Sequence, residues 1–347
     1  MKFRIYLNPK ISETSWVNFI KHRPDATVFH LPSWQRVLIK SFNYKPLYFF
    51  ALDEQKNILG ILPLFEIKSV INGNRLISSP LSYICGPIAK NETVEQELVK
   101  KAKILSKTQR SDYLEIRSLN AKKFNLKLDQ YFSTCRLELS PELETVWKKL
   151  DKGSARWAIT KAKKEGVEIV RSHSFEDLKI FNRLNQVTKR NLGVPAHPLS
   201  FFENIFRELP DNCDLYFAKI DNKIIAGMFN LKFKDTIIHG YGASDRKYLK
   251  YHPNNLLVWQ AIEDGCKASF KWFDFGRAGQ DNQELLNFKK RWGGIEQKLH
   301  YYYFPQKPQA LTINRASLKF RIINNIWKKL PVWLSQNISN IIFKQFD

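Results

Sequence analysis

Cationic side chains that could hold an anion concentrate in the middle of the chain. Lys189 and Arg190 are adjacent, and Arg156 and Lys161 lie upstream in 147–171, which carries eight basic residues against three acidic ones. Ammonium and guanidinium groups bind phosphate and carboxylate, and arginine can do so through two parallel hydrogen bonds. These residues predict the wall of a groove for a phosphorylated or polyanionic ligand, but the run of charges also fits the solvated face of a basic helix.

One carboxylate that could act as a base stands in an otherwise apolar strand. Asp274 lies between Phe273 and Phe275, and Arg277 follows three residues later. A carboxylate in this position could accept a proton from a nucleophile. The alternation with apolar neighbours equally fits an ion pair between Asp274 and Arg277, so both roles are open.

Other common catalytic arrangements are missing from the sequence. The seven histidines, His197 and His239 among them, stand singly, and we expect each to be a hydrogen-bonded core or surface imidazole. The four cysteines form no C-x-x-C pair, which predicts neither a zinc site nor a disulfide framework. No P-loop or G-x-G-x-x-G motif occurs. We therefore expect no metal and no permanently bound cofactor.

The composition predicts a folded, strongly basic protein with two domains. The chain has 347 residues, of which 44% are hydrophobic, and this excludes a disordered protein. Its net charge of +23 attracts phosphates, RNA or anionic lipid, and we expect no DNA partner. There is no apolar run of about 18 residues and the first residues resemble a strand, so we expect a cytoplasmic protein without a spanning helix.

Two parts of the chain repeat each other in the same order. The pattern Leu-Tyr-Phe, Asp, Ile-x-Gly of 47–60 recurs in 215–227, and the strand-like segment 113–117 is echoed by 272–277. Two echoes in one order indicate two copies of one domain in tandem.

The predicted elements follow this repeat. Each half contains a hairpin (46–67 and 212–233), a third strand, a helix and a further strand, which predicts mixed α/β (α+β) sheets. Segment 298–304 is predicted to close the second sheet, and 147–171 to be helical with Gly166 at the helix end. The expected divisions are an N-terminal domain 1–139, a basic helical connector 140–172, a C-terminal domain 173–305 and a tail 306–347.

Several motifs, taken in order, resemble the FemAB-like acyltransferases, which are tandem-domain relatives of the GNAT N-acetyltransferases. Residues 271–277 read KWFDFGR and 286–294 read LNFKKRWGG. The R…KA…GV pattern of that family has a counterpart in 154–167, and its T-x-R-x-x-G…P…FF pattern in 188–202. Residues 29–34 resemble its F-x-x-x-x-W motif at the start of a helix.

The resemblance implies two GNAT-like domains with a central cleft and transfer of an acyl or aminoacyl group onto an amine. The donor it implies is an acyl-CoA or an aminoacyl-tRNA. The acceptor it implies is an anionic cell-envelope precursor: a glycan, peptidoglycan or a lipid-linked molecule.

The same resemblance points to particular site residues. Lys289, in F-K-x-x-W-G, is the first candidate for the cation that stabilises the oxyanion of acyl transfer. Arg277 and Tyr241 are the next catalytic candidates, together with Asp274. Residues expected to bind substrate are Trp34, Arg36, Arg156, Lys161, Lys189, Arg190 and Asn254.

The chain also departs from the family pattern. Leu38 stands where peptidoglycan bridge-building members tend to carry a lysine, and their long coiled-coil arm is missing. Both departures favour the exopolysaccharide and envelope group of the family. Segment 240–254 lacks the Q/R-x-x-G-x-G/A spacing of ordinary CoA-binding loops, so the sequence does not support CoA.

The segment 315–346 predicts an amphipathic tail. Ala316, Phe320, Ile323, Trp327 and Leu330 form an apolar stripe, and a second stripe follows Pro331. Six basic residues face only Asp347 as an acid. Such a tail suits the plane of an anionic membrane surface, here the inner face of the cell membrane. Packing against the protein itself is the alternative.

Two other functions compete with acyl transfer. The positive charge together with Trp147 and Trp157 could form a basic stacking surface for RNA. A catalytically inactive pair of GNAT-like domains could serve as a scaffold in polysaccharide assembly.

Overall fold

The computed structural model describes residues 2–69, 73–306 and 318–345. Its strands are β1 (Arg4–Leu7), β2 (Lys45–Pro46), β3 (Phe49–Leu52), β4 (Ile58–Leu62), β5 (Phe65–Ser69), β6 (Gly73–Ile77), β7 (Ile88–Ala89), β8 (Tyr113–Ser118), β9 (Lys127–Asp129), β10 (Phe132–Glu138), β11 (Glu168–Ser172), β12 (Cys213–Ile220), β13 (Lys223–Phe233), β14 (Thr236–Ser244), β15 (Trp272–Gly279), β16 (Ile295–Lys298) and β17 (His300–Phe304). Its helices are α1 (Glu13–Lys21), α2 (Pro32–Phe42), α3 (Glu92–Thr108), α4 (Leu143–Lys149), α5 (Trp157–Lys164), α6 (Phe175–Leu192), α7 (Leu199–Glu208), α8 (Pro253–Lys267), α9 (Gln283–Lys290), α10 (Leu318–Lys329) and α11 (Val332–Ile342).

The chain divides into two compact units. Unit 1 contains the described residues of Met1–Phe132, Lys298–Ile313 and Lys344–Asp347, and unit 2 those of Ser133–Gln297 and Asn314–Phe343. Unit 1 has a four-stranded sheet, β1-β3-β4-β7, and a six-stranded sheet, β2-β5-β6-β8-β17-β9. Unit 2 has one seven-stranded sheet, β11-β12-β13-β14-β15-β10-β16.

The duplicated fold is visible in the strand order. In unit 2 the hairpin β12–β13 is followed by antiparallel β14 and then by parallel β15. Unit 1 repeats this order with β3–β4, β5, β6 and β8, where β6 and β8 are again parallel. The long strand β13 of unit 2 corresponds in unit 1 to two shorter strands, β4 and β5. The segment around Pro63 separates these two strands. The predicted mixed α/β fold with a repeated hairpin is confirmed.

In each unit, one strand of a sheet follows the strands of the other unit along the sequence. β10 comes directly after the strands of unit 1 but lies next to β15 in unit 2. β17 comes after the strands of unit 2 but pairs with β8 along His300–Phe304 in unit 1. Tyr302 of β17 is 2% exposed and packs in the core of unit 1 with Leu114 and Ile116. The expectation that 298–304 closes the second sheet is therefore wrong.

The stretch 147–171 is also not one helix. It consists of the end of α4, a π-helical turn at Lys152–Arg156, α5, and the strand β11. Gly166 does follow a helix end, with φ of 76°. Beyond it, Glu168–Ser172 pairs with β12 because this segment supplies an edge strand of the sheet. In the core of unit 2, Trp147 packs against Trp259 at 4.8 Å.

Candidate active site

The backbone of unit 2 opens between its two central parallel strands. β14 and β15 pair over only three positions, from Thr236 opposite Trp272 to Ile238 opposite Asp274, although both strands continue well past them. A bulge sits on β14 at Gly240, where a Cβ atom would lie 2.8 Å from the carbonyl oxygen of Phe229. The two strands thus separate, which leaves a wedge lined by backbone polar groups and by the side chains that follow.

Lys289 points its ammonium group at this wedge. It lies in the last turn of α9, is 3% exposed, and its Nζ donates to the carbonyl oxygen of Gly276 at 2.5 Å. Gly276 has φ of 71° and turns β15 at this point; a Cβ atom there would lie 3.4 Å from the carbonyl oxygen of His239 on β14. The lysine therefore stands where β14 and β15 diverge.

The electrostatic environment holds Lys289 close to its titration point. Burial lowers the pKa of Lys289 from 10.5 to about 8; Cys135 and Asp274 oppose this shift, and Arg277 adds to it. Within the described residues, no carboxylate makes a salt bridge to it. The result is a buried cation at neutral pH, held by a neutral carbonyl oxygen rather than by a counter-ion.

Neighbouring protein groups contact both oxygens of the Asp274 carboxylate. Its Oδ1 accepts hydrogen bonds from Thr134 Oγ1 at 2.5 Å and from the backbone N–H of Gly276 at 2.8 Å. Its Oδ2 lies 3.7 Å from Arg136 Nε, and Arg277, the ion-pair partner considered from the sequence, is exposed. These contacts fix the turn at Gly276 and so position the carbonyl group that holds Lys289. Its use as a base stays a prediction.

A second group of residues lies around His197, in the segment between α6 and α7, and includes the predicted Lys189 and Tyr241. Lys189 lies in the last turn of α6; burial lowers its pKa, and no acidic side chain among the described residues pairs with it. Tyr241 packs edge-on against His197 at 4.8 Å and against Phe202 at 5.3 Å. Burial, with Lys189 nearby, lowers the pKa of His197 well below its usual range, so this imidazole is neutral at pH 7.

His239 connects the two groups electrostatically. Burial lowers the pKa of His239 to about 4, and both Lys289 and Lys189 add to the shift. The sequence predicts an isolated imidazole here because nothing in it places His239 between two lysines that are distant along the chain. Thr134 was missed for a related reason, since residues 1–139 were all expected to belong to the N-terminal domain.

Polar groups around α6 are left without protein partners. Asn185 is fully buried, and neither polar atom of its amide has a hydrogen-bond partner within the described chain. The same holds for Oδ1 of Asn182, one turn earlier, and for Nδ1 of His197. One ring nitrogen of His197 thus has no protein partner among the described residues. Buried polar groups in native proteins are nearly always bonded, so unpartnered ones indicate a place for a ligand or ordered water.

A third group lies at the start of α8. Asn254, in its first turn, donates from Nδ2 to Ser244 Oγ at 3.2 Å. Lys161 on α5 lies over the ring of Trp157 at 5.1 Å, and Trp157 contacts His252 at 4.9 Å. The first N–H groups of a helix and nearby cations favour an anion.

Of the remaining predicted residues, Arg156 and Arg190 lie in unit 2, and Trp34 and Arg36 lie in unit 1. Nε of Arg156 is buried in the π-helical turn without a hydrogen bond, and Arg190 donates to Asn191 at 3.1 Å. Trp34 is fully buried and donates to Ser79 Oγ at 3.1 Å, and Arg36 makes a two-bond ion pair with Glu13. Because Trp34 exposes no surface, its packing explains its presence without a ligand.

The tail helices pack on unit 2. Asn324 of α10 donates to the carbonyl oxygens of Leu192 and Gly193, and Ser339 of α11 accepts from the N–H of Ala196. Phe343 lies 4.4 Å from the ring of His197. Ala316 lies outside the described residues. Packing against the protein, the alternative considered from the sequence, thus holds for one face of the tail.

The described residues contain no group of three or more His, Cys, Asp or Glu side chains arranged to hold a metal ion. None of their helices combines the length and the apolar character needed to cross a membrane.

Comparison with known proteins relates this architecture to the GNAT superfamily. Residues 152–290 match the family model of the acetyltransferase (GNAT) domain, and these residues include all three groups described above in unit 2 apart from Thr134, Cys135 and Arg136. No curated protein matches the chain.

Solved structures share the fold over nearly the whole chain. The structure of FemX superposes with a TM-score of 0.68 at 15% identity, covering 93% of this chain and 100% of FemX. The C-terminal domain (DUF2156) of a protein assigned as a lysylphosphatidylglycerol synthetase from Agrobacterium fabrum gives 0.55 at 9%, covering 86% and 92%. A tandem GNAT protein from the clavulanic acid biosynthesis pathway gives 0.50 at 10%, covering 88% and 100%. The predicted tandem GNAT-like fold is confirmed.

Proposed function

We propose that this protein is a FemAB-like acyl- or aminoacyltransferase that forms an amide on an amine of a cell-envelope glycan, peptidoglycan or lipid-linked precursor. The observation that carries the proposal is the buried ammonium group of Lys289 at the opening between β14 and β15. A GNAT domain around this lysine and the fold shared with FemX support transfer of an acyl group.

The reaction uses the geometry of the wedge. The amine nitrogen attacks the carbonyl carbon of the donor, the C=O oxygen becomes an oxyanion, and collapse expels the donor's thiolate or ribose oxygen. The nitrogen loses one proton, which the leaving group takes up directly or through solvent. Lys289 donates to the oxyanion, and low local dielectric strengthens this interaction.

The charges of the site also select the form of the nucleophile. Lys289, with a pKa of about 8, is largely cationic at neutral pH, whereas His239 and His197 are neutral because burial lowers their pKa values. A buried cation disfavours a protonated amine beside it and so favours the neutral, nucleophilic form. A strong base is then unnecessary, and positioning supplies much of the rate.

The substrate side of the proposal rests on charge and on the unpartnered polar groups. Lys189, the amide of Asn185 and Nδ1 of His197 together suit an anionic ligand that also carries hydrogen-bonding groups. The donor is an acyl-CoA or an aminoacyl-tRNA. The resemblance to the FemAB-like acyltransferases implies a peptidoglycan precursor among the acceptors to test.

We also propose that the protein is a peripheral protein at the inner face of the cell membrane. The packed tail leaves large apolar side chains outside: Ile326 is 58% exposed, Trp333 63% and Ile341 68%. Lys328 and Lys329 are exposed beside them. Apolar and basic side chains together bind anionic lipid surfaces.

Comparing envelope polymers from a deletion strain with those of the parent tests this function. Mass spectrometry of peptidoglycan, surface glycans and lipids should show one polymer that lacks an amide-linked group, and expression of the wild-type protein should restore it. Purified protein should then transfer label from acyl-CoA or charged tRNA to the precursor of that polymer. Identical polymers in all strains, with no transfer from either donor class, would refute the proposal.

A further inference from the structure

Unit 1 contains a wide groove that the proposed transferase chemistry does not use. Its volume is about 850 Å³, and it is formed by Tyr6 of β1, the segment 9–12, one face of α1 and the two residues after it, the turn between β3 and β4, and Lys90, two residues before α3. Grooves of this size hold ligands as large as a nucleotide.

The lining of the groove is strongly cationic. Lys10, Arg23, Lys56 and Lys90 all line it, and none of the lining residues is an aspartate or a glutamate. Four positive charges around one groove attract an anion that carries more than one negative charge.

Two acidic side chains that are close to the groove residues in the sequence, Glu13 and Asp53, have other partners. Glu13, in the first turn of α1, makes its two-bond pair with Arg36. The carboxylate of Asp53 accepts from the N–H of Asn57 at 2.7 Å and from its Nδ2 at 3.0 Å. Lys90 is close enough to help lower the pKa of Asp53, so one of the four charges is partly offset.

Local hydrogen bonds and turns hold the backbone at three of these basic residues. The N–H of Lys90 donates to the carbonyl oxygen of Leu59 at 2.8 Å, and Lys56 sits in the β3–β4 turn with φ of 64°. Lys10 precedes α1, where Ser12 caps the helix by accepting from the N–H of Ser15. A ligand would therefore meet cationic side chains whose backbone attachment points are already in place.

The groove also has an apolar side. Tyr6 is 43% exposed, and Ile11, Phe19, Leu52 and Ile58 line the same space. A purely ionic ligand would leave these side chains unused, whereas one with a ring or an alkyl chain beside its charge would cover them.

We propose that this groove binds a phosphate or diphosphate ester whose organic part is partly apolar. Phosphate is favoured over carboxylate because several lysines act as point charges on a multiply charged group. A nucleoside diphosphate and a lipid phosphate share this chemistry. The site goes beyond the proposed transferase function, and its binding is measured without turnover.

Calorimetric titration of the full-length protein tests the proposal with three probes: ADP, dihexanoylphosphatidic acid below its micelle concentration, and inorganic tripolyphosphate. At least one of the two esters should bind saturably at or below about 1 mM and more weakly as salt is added. Binding of ADP alone identifies a nucleotide site, and binding of the lipid phosphate alone a lipid site.

Matched variants locate the binding. Lys56→Gln with Lys90→Gln should weaken the bound ester by about tenfold or more, because two partly desolvated charge contacts are lost. The control, Lys100→Gln with Lys101→Gln, removes the same charge from the exposed side of α3 and should change the affinity by less than about twofold. Tyr6→Ser should weaken ester binding without changing that of tripolyphosphate.

Three results would overturn the proposal. They are no saturable binding of either ester up to about 5 mM, binding of tripolyphosphate alone, and equal losses in the groove and control variants. All replaced side chains lie on the surface, and thermal melting confirms that each variant is folded.

Discussion

At the scale of single residues, Lys289 has the properties of a group kept for chemistry. The drop of its pKa from 10.5 to about 8 corresponds to about 3 kcal/mol favouring the neutral over the charged form. A buried lysine without a carboxylate partner is costly to the folded state, and the carbonyl group of Gly276 offsets only part of that cost. An oxyanion at the wedge would supply the missing negative charge.

The pH dependence of transfer should report this residue. With a folded pKa of about 8, the ammonium form of Lys289 is present below that pH and lost above it. In the wild-type protein kcat/KM should therefore fall above about pH 8, whereas Lys289→Arg, which stays charged to beyond pH ~12, should remove that limb. A limb that is unchanged in the arginine variant would assign it to another group.

Single residues also show where sequence reasoning stops. Lys289 could be singled out from its motif, because the motif and the buried position coincide. Trp34 matches a family motif equally well, but its ring is fully buried and bonded to Ser79. The orphaned amide of Asn185 and the position of His239 depend on packing between elements, which no local pattern encodes.

At the scale of elements, the separation of β14 from β15 creates the site. The bulge at Gly240, the left-handed turn at Gly276 and the cap-like contacts of Asp274 all act on that separation. The hairpins and most helices could be predicted because their apolar periodicity is local. The strand at Glu168–Ser172 could not, since its basic neighbours favour a helix and only pairing with β12 decides its conformation.

The tail is the element with the most direct test of location. Trp333→Ser with Ile341→Ser removes exposed apolar area but leaves the packed contacts of Asn324, Ser339 and Phe343 intact. Sedimentation with vesicles that contain anionic lipid should fall about fivefold or more, because binding needs apolar insertion as well as charge.

A matched control separates the tail from general surface hydrophobicity. Trp157 and Ile295 are 52% and 67% exposed in unit 2, so replacing both with serine removes a comparable area. That control should sediment like the wild type. Equal sedimentation of all three proteins would argue that the tail does not contact membranes.

At the scale of the whole molecule, the chain is a duplicated fold in which two strands have changed places. The duplication could be predicted, since 47–60 and 215–227 share a pattern that folds into equivalent hairpins. The exchange of β10 and β17 could not, because an alternating strand fits beside β8 or beside β15 and its partner is distant in sequence.

The exchange makes a prediction about fragments. A protein that ends at Phe132 lacks β17. Strand β8 then keeps β6 as its only neighbour, and the core of unit 1 loses Tyr302. This protein should aggregate, because an unpaired edge strand and an open core are both exposed. Joining residues 298–306 to Phe132 through a short linker should restore a soluble fragment that unfolds cooperatively. A short linker suffices because the N–H of Leu299 already donates to the carbonyl oxygen of Phe132 at 2.9 Å. Cooperative unfolding of the shorter fragment would contradict the exchange.

The most direct test of the central claim is the turnover of Lys289→Ala beside Lys290→Ala, once donor and acceptor are identified. Lys290 is adjacent but half exposed and paired with Glu296 at 2.7 Å, so its loss should change turnover by no more than about threefold. Loss of Lys289 should lower turnover by roughly 10²-fold or more with substrate binding nearly unchanged, since the interaction is made in the transition state. Near-normal turnover of Lys289→Ala would contradict the assignment of this lysine and move the catalytic site elsewhere.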